Sequence, residues 1–318
     1  MMESGKILFV FNPRAGKAKI KNKLCDIIDI FVKAGYEVTV YPTQEEGDAI
    51  RAVRDKKECY DLLVCSGGDG TLDEVVNGMT KCRKQIPIGY IPAGSTNDFA
   101  RSLGIPKDML KAAEVIANGR DYPCDIGAMN EEECFVYIAA FGIFTDVSYE
   151  TSQDIKNVLG YMAYILEGMK RLPSIKSYKL RINYKRKETE ETEKAGTGEG
   201  FYKEETLEDE FIFGMVTNSV SVGGFKRITG KYVELDDGEF EVTLIRKPSN
   251  PLDINVIIAA LLNRRINTEH MYCFKTPEIT FESEEEIPWT TDGEFGGNHK
   301  KVDIKNRKQA VRIRVVSV

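Results

Sequence analysis

The stretch that decides the fold is DLLVCSGGDGTLDEVVNG, residues 61 to 78. Its apolar start predicts a buried strand over residues 61–65, and its later part predicts a helix over residues 71–79. Glycines between a strand and a helix let the backbone approach a phosphate, which the helix N-terminus also attracts. Asp69 stands among these glycines, and two like charges about 4 Å apart repel by roughly 4 kcal/mol at an effective dielectric near 20. A glycine-rich turn with Asp69 as helix cap is the alternative, so the role of Asp69 stays open here.

Working outward, the first third of the chain alternates apolar runs with helical patterns. Strands are predicted over residues 6–11, 36–41, 61–65 and 86–91, and helices over residues 19–34, 47–56, 71–79 and 107–118. This alternation predicts a parallel sheet with crossover helices, hence a doubly wound α/β domain. Ligands of such sheets bind beyond the carboxyl ends of the strands. Polar turns at residues 12–13, 66–69 and 92–95 all fall at that edge.

After residue 125 the pattern changes to strands with longer loops. Strands are predicted over residues 135–141, 178–184, 211–217, 240–245, 271–274, 278–282 and 310–316, with helices near residues 153–170 and 252–262. Few helices between strands indicate a mostly antiparallel sheet or sandwich. Residues 185–210 are highly charged with few aliphatic side chains, so we expect a mobile hairpin there, because so little apolar surface cannot offset the ordering entropy.

Composition excludes several classes of protein. Seven scattered cysteines, an odd number, indicate a reducing, cytoplasmic compartment. Two histidines without ligand spacing argue against a structural zinc site. No apolar stretch approaches the roughly 20 residues of a membrane span, and the net charge of −6 argues against a general nucleic-acid binder.

Two more turns fall at the predicted ligand edge. FNPRAGKAK, residues 11–19, lacks the Walker spacing and alone favours a turn capped by Asn12. The functional alternative puts Asn12 and Gly16 in contact with a nucleotide, with Arg14 and Lys17 near phosphate.

PAGSTNDFAR, residues 92–101, offers hydroxyl, amide and carboxyl groups. They could cap a helix, but their position beside SGGDGT favours a site that binds phosphate or an alcohol.

Two acidic turns lie in the second half. TTDGEFGG, residues 290–297, carries an Asp-Gly pair between two strands and predicts a hairpin turn on local evidence. KYVELDDGEF, residues 231–240, clusters oxygen ligands of the kind that Mg²⁺ or Ca²⁺ prefers. A polar hairpin explains that stretch equally well.

Taken together, these motifs resemble the soluble bacterial diacylglycerol kinases, a lipid kinase family related to sphingosine and ceramide kinases. The matching residues keep one order along nearly the whole chain: NPRAG at 12–16, Thr43, GGDGT at 67–71, NG at 77–78, PAGSTNDFAR at 92–101, DIG at 125–127, Phe135, Gly142, LDDG at 235–238 and DGE at 292–294. The fold implied is an N-terminal doubly wound nucleotide-binding α/β domain (1–125) plus a C-terminal mostly antiparallel β-sandwich domain (126–307). Residues 308–318 would return to the first domain as a strand.

The resemblance also implies roles for individual residues. It places ATP against Asn12, Pro13, Arg14, Ala15, Gly16, Thr43, Gly67, Gly68, Asp69, Gly70, Thr71 and Thr96. Asp69 would act through Mg²⁺ bridging the phosphates, which turns its repulsion into attraction. Asp292 would be the general base for the lipid hydroxyl, supported by Glu294. The substrate would contact Ser95, Asn97 and Asp98, and a structural Mg²⁺ would lie at Glu234, Asp237 and Glu239, partly on backbone carbonyls.

Some departures and alternatives remain. Ala15 stands where many members have a small hydroxyl residue, and the charged stretch 185–210 is not typical of the family core. Phosphatidylglycerol or a sphingoid base could replace diacylglycerol as the substrate. NAD kinases share GGDGT, but no second Gly/Thr-rich signature is found here. We expect peripheral contact with a membrane through basic residues near 170–171 or 264–265. We expect no nucleic-acid partner, and a homodimer is an open alternative.

Overall fold

The structure, a computed structural model, describes residues 5–56, 59–82, 85–94, 97–131, 133–143, 176–187, 202–219, 221–222, 225–226, 234–262 and 268–317. Its helices are α1 (Ala15–Ala18), α2 (Leu24–Lys33), α3 (Asp48–Lys56), α4 (Asp69–Thr80), α5 (Asp98–Ser102), α6 (Met109–Asn118) and α7 (Pro251–Leu262), with a 3₁₀ helix at Lys19–Asn22. Its strands are β1 (Gly5–Phe11), β2 (Tyr36–Pro42), β3 (Leu62–Gly67), β4 (Ile88–Pro92), β5 (Arg120–Met129), β6 (Glu133–Phe135), β7 (Ile138–Gly142), β8 (Tyr178–Lys187), β9 (Tyr202–Thr217), β10 (Ser221–Val222), β11 (Phe225–Lys226), β12 (Phe240–Arg246), β13 (Met271–Thr276), β14 (Glu278–Thr291) and β15 (Glu294–Val315).

The N-terminal strands form a parallel sheet. β1 pairs with β2 and β3, and β3 pairs with β4, in the order β2-β1-β3-β4. Every residue of β3 and β4 is buried, as expected for strands of a parallel sheet covered by helices. The helices supply that cover through apolar stripes, such as Ile27 and Phe31 of α2. The carboxyl ends of β1, β3 and β4 therefore meet at one edge.

β15 joins this parallel part to the antiparallel strands. Near its end, Ile313 pairs in parallel with Ile88 of β4, while its earlier residues pair antiparallel with β14. The sheet continues in the order β15-β14-β7-β9-β12-β13, with β5 paired to β15 and β8 paired to β9 and β14. All described strands except β10 and β11 thus belong to one hydrogen-bonded sheet.

Two buried clusters form the core. The larger covers the parallel strands and their helices and extends to one side of β7, β9, β12 and α7. The smaller fills the antiparallel part around Trp289, whose ring lies 4.9 Å from Phe141 and 5.1 Å from Phe281, centroid to centroid. The α/β class with a large sheet is confirmed. The boundary at residue 125 stays a prediction, and β5 runs across it.

One expectation from the sequence is confirmed in part, and two need correction. The hairpin at 185–210 is confirmed at its described ends, because residues 178–187 of β8 pair in continuous register with residues 202–211 of β9 and ion pairs such as Arg181–Glu208 cross the two strands; its mobility stays a prediction. The strand at 135–141 is broken between β6 and β7, where the backbone amides of Val136 and Tyr137 turn to a carboxylate. The last strand begins at Glu294 rather than near residue 310. The predicted helix at 153–170 lies outside the described residues.

Candidate active site

A cavity of about 500 Å³ opens at the carboxyl edge of the parallel strands. The turns after β1, β3 and β4 line it, together with the turn after β2 and the start of β15. Its lining residues are Asn12, Arg14, Ala15, Gly16, Thr43, Gln44, Glu45, Glu46, Gly68, Gly70, Thr71, Glu74, Gly94 and Glu294. Such an edge is where doubly wound sheets bind their ligands.

The turn after β1 is fixed by its own polar groups and by close contact with the turn after β4. The Asn12 amide donates to the Ser66 carbonyl (2.9 Å), and the Asn12 side-chain oxygen accepts from the Arg14 amide (2.9 Å). Gly16 has φ of +55°, and a Cβ there would overlap the carbonyl oxygen of Ala93. Only glycine fits both the conformation and the space.

The turns after β3 and β4 approach each other through glycines. A Cβ on Gly94 would lie 2.7 Å from the Cα of Gly68, so both backbones are bare where they meet. Asn97 fixes the second turn, because its side chain accepts from the Gly94 amide (3.0 Å) and the Tyr90 hydroxyl (3.1 Å) and donates to the Gly94 carbonyl (2.6 Å). The Asn97 side chain therefore stabilises the turn after β4.

Asp69 is the first residue of α4, and its carboxyl group points into the protein. Its Oδ2 accepts from the backbone amide of Asn97 (3.0 Å), whereas its Oδ1 is buried without a hydrogen-bond partner. Burial, followed by the charges of Asp98 and Asp292, raises the pKa of Asp69 to about 7. A buried carboxylate oxygen without a donor lacks the compensation that ionised groups require. This oxygen is free to coordinate a cation.

Asp292 lies in the tight turn between β14 and β15 that the Asp-Gly pair predicted. Asp292 and Gly293 have φ of +50° and +89°, the left-handed conformations that two-residue hairpin turns use. Its buried carboxylate accepts from the amides of Val136 (2.6 Å), Tyr137 (3.0 Å) and Ile138 (3.0 Å). Burial raises the pKa of Asp292 and the three amides lower it, leaving a value of about 6.

Two polar residues of α4 join this site: Asp73, which the sequence analysis did not single out, and Asn77, which it counted among the matching residues without a role. Burial, followed by the charge of Asp292, raises the pKa of Asp73 well above its usual range, and the side-chain nitrogen of Asn77 donates to both carboxyl oxygens of Asp73 (3.0 Å each). Asn77 also accepts from the amide of Cys134 on β6 (3.2 Å). Asp69, Asp73 and Asn77 are spaced four residues apart, which puts them on one face of the helix. That spacing is a signal by which the sequence could have revealed them.

The mouth of the cavity is acidic. The carboxyl group of Glu294 lies over Gly70, since a Cβ there would come within 2.5 Å of Glu294 Oε1. Desolvation at this position, followed by the charges of Glu46 and Glu74, raises the pKa of Glu294. Glu74 is itself held by the backbone amides of Gly47 (3.0 Å) and Ala49 (3.1 Å).

The structure brings together most of the residues predicted around ATP. Asn12, Arg14, Ala15, Gly16, Thr43, Gly68, Gly70, Thr71 and Glu294 line one cavity, and Asp69 lies behind it. Pro13 and Gly67 are not in the lining; Gly67 makes room for the Thr71 side chain instead. Ser95 and Thr96 lie outside the described residues. Asp98, predicted to bind substrate, is buried and paired with Arg101 (3.4 Å).

The structural Mg²⁺ site, predicted partly on backbone carbonyls, stays a prediction. Asp237 Oδ2 is bound by the ammonium of Lys275 (2.8 Å), and Asp237 Oδ1 accepts from the amide of Glu239 (2.9 Å). Glu234 is exposed. The part of the chain that the structure describes contains no group of three or more His, Cys, Asp or Glu side chains arranged for a metal ion. Lys275, which also lies 3.3 Å from Glu241, supplies the positive charge at this loop.

Comparison with known proteins agrees with the fold. Residues 6–129 match the model of the diacylglycerol kinase catalytic domain. The diacylglycerol kinase of Bacillus subtilis is 34% identical over 91% of this chain and 89% of its own length, and that of Staphylococcus carnosus is 36% identical over 96% and 93%. A solved Bacillus anthracis structure superposes with a TM-score of 0.78 at 24% identity, covering 99% of this chain and 96% of that one; it shows the shared fold.

A glycine-lined cleft at the carboxyl edge of a parallel sheet is the arrangement of nucleotide-binding α/β proteins. Within that class, the chain belongs to the diacylglycerol kinase family and is a lipid kinase.

Proposed function

We propose that this enzyme transfers the γ-phosphoryl group of ATP to the free hydroxyl of diacylglycerol and releases phosphatidic acid and ADP. The relatives that share 34–38% of their sequence with this chain are diacylglycerol kinases. The observation that carries the proposal is Asp292, a buried carboxylate fixed by three backbone amides beside the glycine-lined cavity.

The cavity suits a nucleotide triphosphate. Close backbone approach at Gly68 and Gly94 leaves room for phosphate oxygens, and α4 points its N-terminus, with the positive end of the helix dipole, at the same place. Arg14 adds a positive charge at the rim. We propose that the ATP phosphates lie along the turns after β1 and β3.

A divalent cation fits the donor set of this cavity. Asp69 Oδ1 has no partner, and four glutamates against one arginine line the wall, so a bare nucleotide would meet net negative charge. Mg²⁺, when bound, would neutralise phosphate charge as in other phosphoryl transfers. Asp69 would be its protein ligand, and its carboxylate would then stay ionised.

Proton transfer is assigned to Asp292. In the proposed step the lipid hydroxyl oxygen bonds to the γ-phosphorus, the bond to the bridging oxygen of ADP breaks, and the hydroxyl proton moves to the Asp292 carboxylate. A positioned general base contributes typically about 10²- to 10⁴-fold to the rate. The three amides hold the carboxylate in one orientation, and Glu294, on the next strand, lines the cavity.

The lipid has to be taken from a bilayer, and no helix of the described residues is long and apolar enough to cross one. We propose peripheral contact near the cavity mouth, where the Phe295 side chain, next to Glu294, is 70% exposed. Aromatic side chains suit the membrane interface. The basic residues predicted to assist, at 170–171 and 264–265, lie outside the described residues. We also propose that the parallel and antiparallel parts act as nucleotide and lipid units, following the change of strand direction along the sheet.

The proposed activity is tested with ATP, Mg²⁺ and a panel of lipid alcohols in mixed micelles. The panel contains diacylglycerol, monoacylglycerol, phosphatidylglycerol and sphingosine, and phosphate transfer is followed for each. Transfer to diacylglycerol at a kcat/KM well above the others is expected. Preferential transfer to another lipid, or to NAD, would replace the proposed substrate.

Membrane contact is tested separately by sedimentation with phosphatidylglycerol vesicles. Phe295→Ser should weaken binding, because it removes an exposed apolar side chain at the cavity mouth. Val32→Ser is the matched control, since Val32 is 56% exposed on α2. Equal binding by both variants and the unchanged protein would refute the assigned surface.

A further inference from the structure

A second cavity, of about 430 Å³, adjoins the proposed nucleotide cavity and has no role in the proposed mechanism. Its lining comes from the 3₁₀ helix, the start of α2, the turn after β4 and the start of α6. The lining residues are Lys19, Asn22, Lys23, Pro92, Ala93, Gly94, Asn97, Lys107, Asp108, Met109 and Leu110. The volume lies in the range of about 300–1,000 Å³ that small-molecule sites occupy, and the turn after β4 puts the cavity at the ligand-binding edge of the sheet.

The second cavity is basic, whereas the nucleotide cavity is acidic. Lys19, Lys23 and Lys107 line the second cavity, and Asp108 is the one carboxylate among its described lining residues. Four glutamates and one arginine line the nucleotide cavity. Clefts lined by charge of one sign concentrate ions of the opposite sign. A bare anion is therefore drawn to the second cavity and repelled by the nucleotide cavity.

Two of these lysines are available to a ligand. No carboxylate of a described residue forms an ion pair with the Lys19 or Lys107 ammonium. The Lys23 ammonium lies 3.9 Å from Asp26 Oδ2. The carboxylate of Asp108 is engaged by its own helix, because its Oδ1 accepts from two backbone amides (3.1 and 3.0 Å) and so caps α6. The positive charge of the second cavity is therefore not neutralised from within.

We propose that the second cavity binds a phosphate monoester at a site separate from the nucleotide cavity. Lysine is a common phosphate-binding residue, and a phosphate monoester carries a charge of about −1.5 to −2 at pH 7, which two or three ammonium groups neutralise. The apolar lining residues Pro92, Met109 and Leu110 suit the organic part of the ester. Two sources share this chemistry: a soluble phosphate ester, and the headgroup of phosphatidic acid, the product of the proposed reaction.

Backbone separates the two cavities. Gly16, which lines the nucleotide cavity, lies against the carbonyl oxygen of Ala93, which lines the second cavity. Gly94 is the one residue that lines both cavities in the part of the chain that the structure describes. A ligand of the second cavity therefore leaves the nucleotide cavity open, and a bound nucleotide should not displace it.

Calorimetric titration of the full chain with glycerol 3-phosphate, in EDTA and without nucleotide, tests the site. We expect binding, and we expect the double variant Lys19→Gln/Lys107→Gln to weaken it at least tenfold, because a charge-assisted hydrogen bond contributes about tenfold or more to affinity. Lys21→Gln/Lys111→Gln is the matched control. It removes the same charge from two exposed lysines of the 3₁₀ helix and α6 that do not line the cavity, so the affinity should stay unchanged.

A second arm distinguishes the two sources of the ester by sedimentation with phosphatidylcholine vesicles, with and without phosphatidic acid. Binding of either probe that the first double variant loses and the control keeps supports the site and identifies its source. Absence of binding to both probes, or equal loss in both double variants, overturns the proposal.

Competition with a nucleotide tests whether the site is separate. A saturating non-hydrolysable ATP analogue with Mg²⁺ should leave glycerol 3-phosphate bound, and complete displacement would overturn the proposal. These measurements do not require phosphate transfer, so failure of the proposed kinase reaction is recognised independently.

Discussion

The close contact between Gly16 and the Ala93 carbonyl provides a direct test of the proposed nucleotide site. Gly16→Ala adds a methyl group to a residue with φ of +55° and pushes it into the Ala93 carbonyl. The left-handed conformation alone costs an alanine about 1–2 kcal/mol. The overlap is with backbone rather than with a flexible side chain, so the turn after β1 must move away from the turn after β4.

Gly104→Ala is the matched control. Gly104 has φ of +67°, close to that of Gly16, but nothing lies within 4 Å of the position its Cβ would occupy. It should therefore lose only the conformational contribution of about 1–2 kcal/mol. The difference between the two variants isolates the effect of the overlap.

Urea unfolding and the KM for ATP measure the two consequences. We expect Gly16→Ala to lose more free energy of unfolding than Gly104→Ala and to raise the KM for ATP at least tenfold, because a displacement of about 1 Å in a positioning group can reduce the rate by about 100-fold. Gly104→Ala should keep the KM of the unchanged enzyme. Equal KM values for the two variants would refute the assignment of this turn to the nucleotide.

Further expected outcomes concern charge. The pKa of Asp69 is about 7 in the folded enzyme and about 4 in an unfolded chain. Without metal, the free energy of unfolding should therefore fall relative to that of Asp69→Asn as the pH rises from 4 to 7. A constant difference in urea midpoint between the two proteins would contradict this. Burial raises the pKa of Glu241 to about 8, so above that pH Lys275→Met should cost about 2 kcal/mol by leaving the buried Glu241 carboxylate without its cation. The cost is smaller than for a fully buried pair because Lys275 is 35% exposed. Lys305→Met, which removes an exposed partner of Glu278, should cost under about 1 kcal/mol. Thermal midpoints with EDTA or Mg²⁺, in the absence of nucleotide, should agree if Lys275 supplies the charge at this loop, and a rise with Mg²⁺ would show a metal site. Asn77→Ala should lower the free energy of unfolding by about 1–3 kcal/mol, since the Cys134 backbone groups lose their partner; no change in urea unfolding would contradict that role.

Much of the fold could be predicted because local patterns determine it. The parallel strands are continuous apolar runs, so β1, β3 and β4 stand out, and turns rich in glycine mark their ends. β15 was underestimated because its long polar part, Asn298 to Lys308, has few apolar residues, and one of its partners, β5, lies far away in sequence. Pairings of that kind are not visible in a local pattern.

Only the part of the site that sequence motifs contain was predicted. Asn12, Gly68 and Glu294 line one cavity as expected, and the Asp-Gly pair forms the expected turn. The amides of Val136, Tyr137 and Ile138 were not foreseen, because backbone donors carry no residue-type signal. The metal prediction at Asp237 did not anticipate Lys275, which reaches that loop from β13.

The central claim is that Asp292 accepts the proton of the lipid hydroxyl. Asp292→Asn keeps the shape of the side chain and removes its basicity, so it should lower kcat for phosphorylation of diacylglycerol by about 10²- to 10⁴-fold. The affinity for ATP, measured by calorimetry on the same protein, should stay unchanged because Asp292 lies outside the cavity lining. An Asp292→Asn enzyme that folds, binds ATP and phosphorylates diacylglycerol at the full rate would contradict the account.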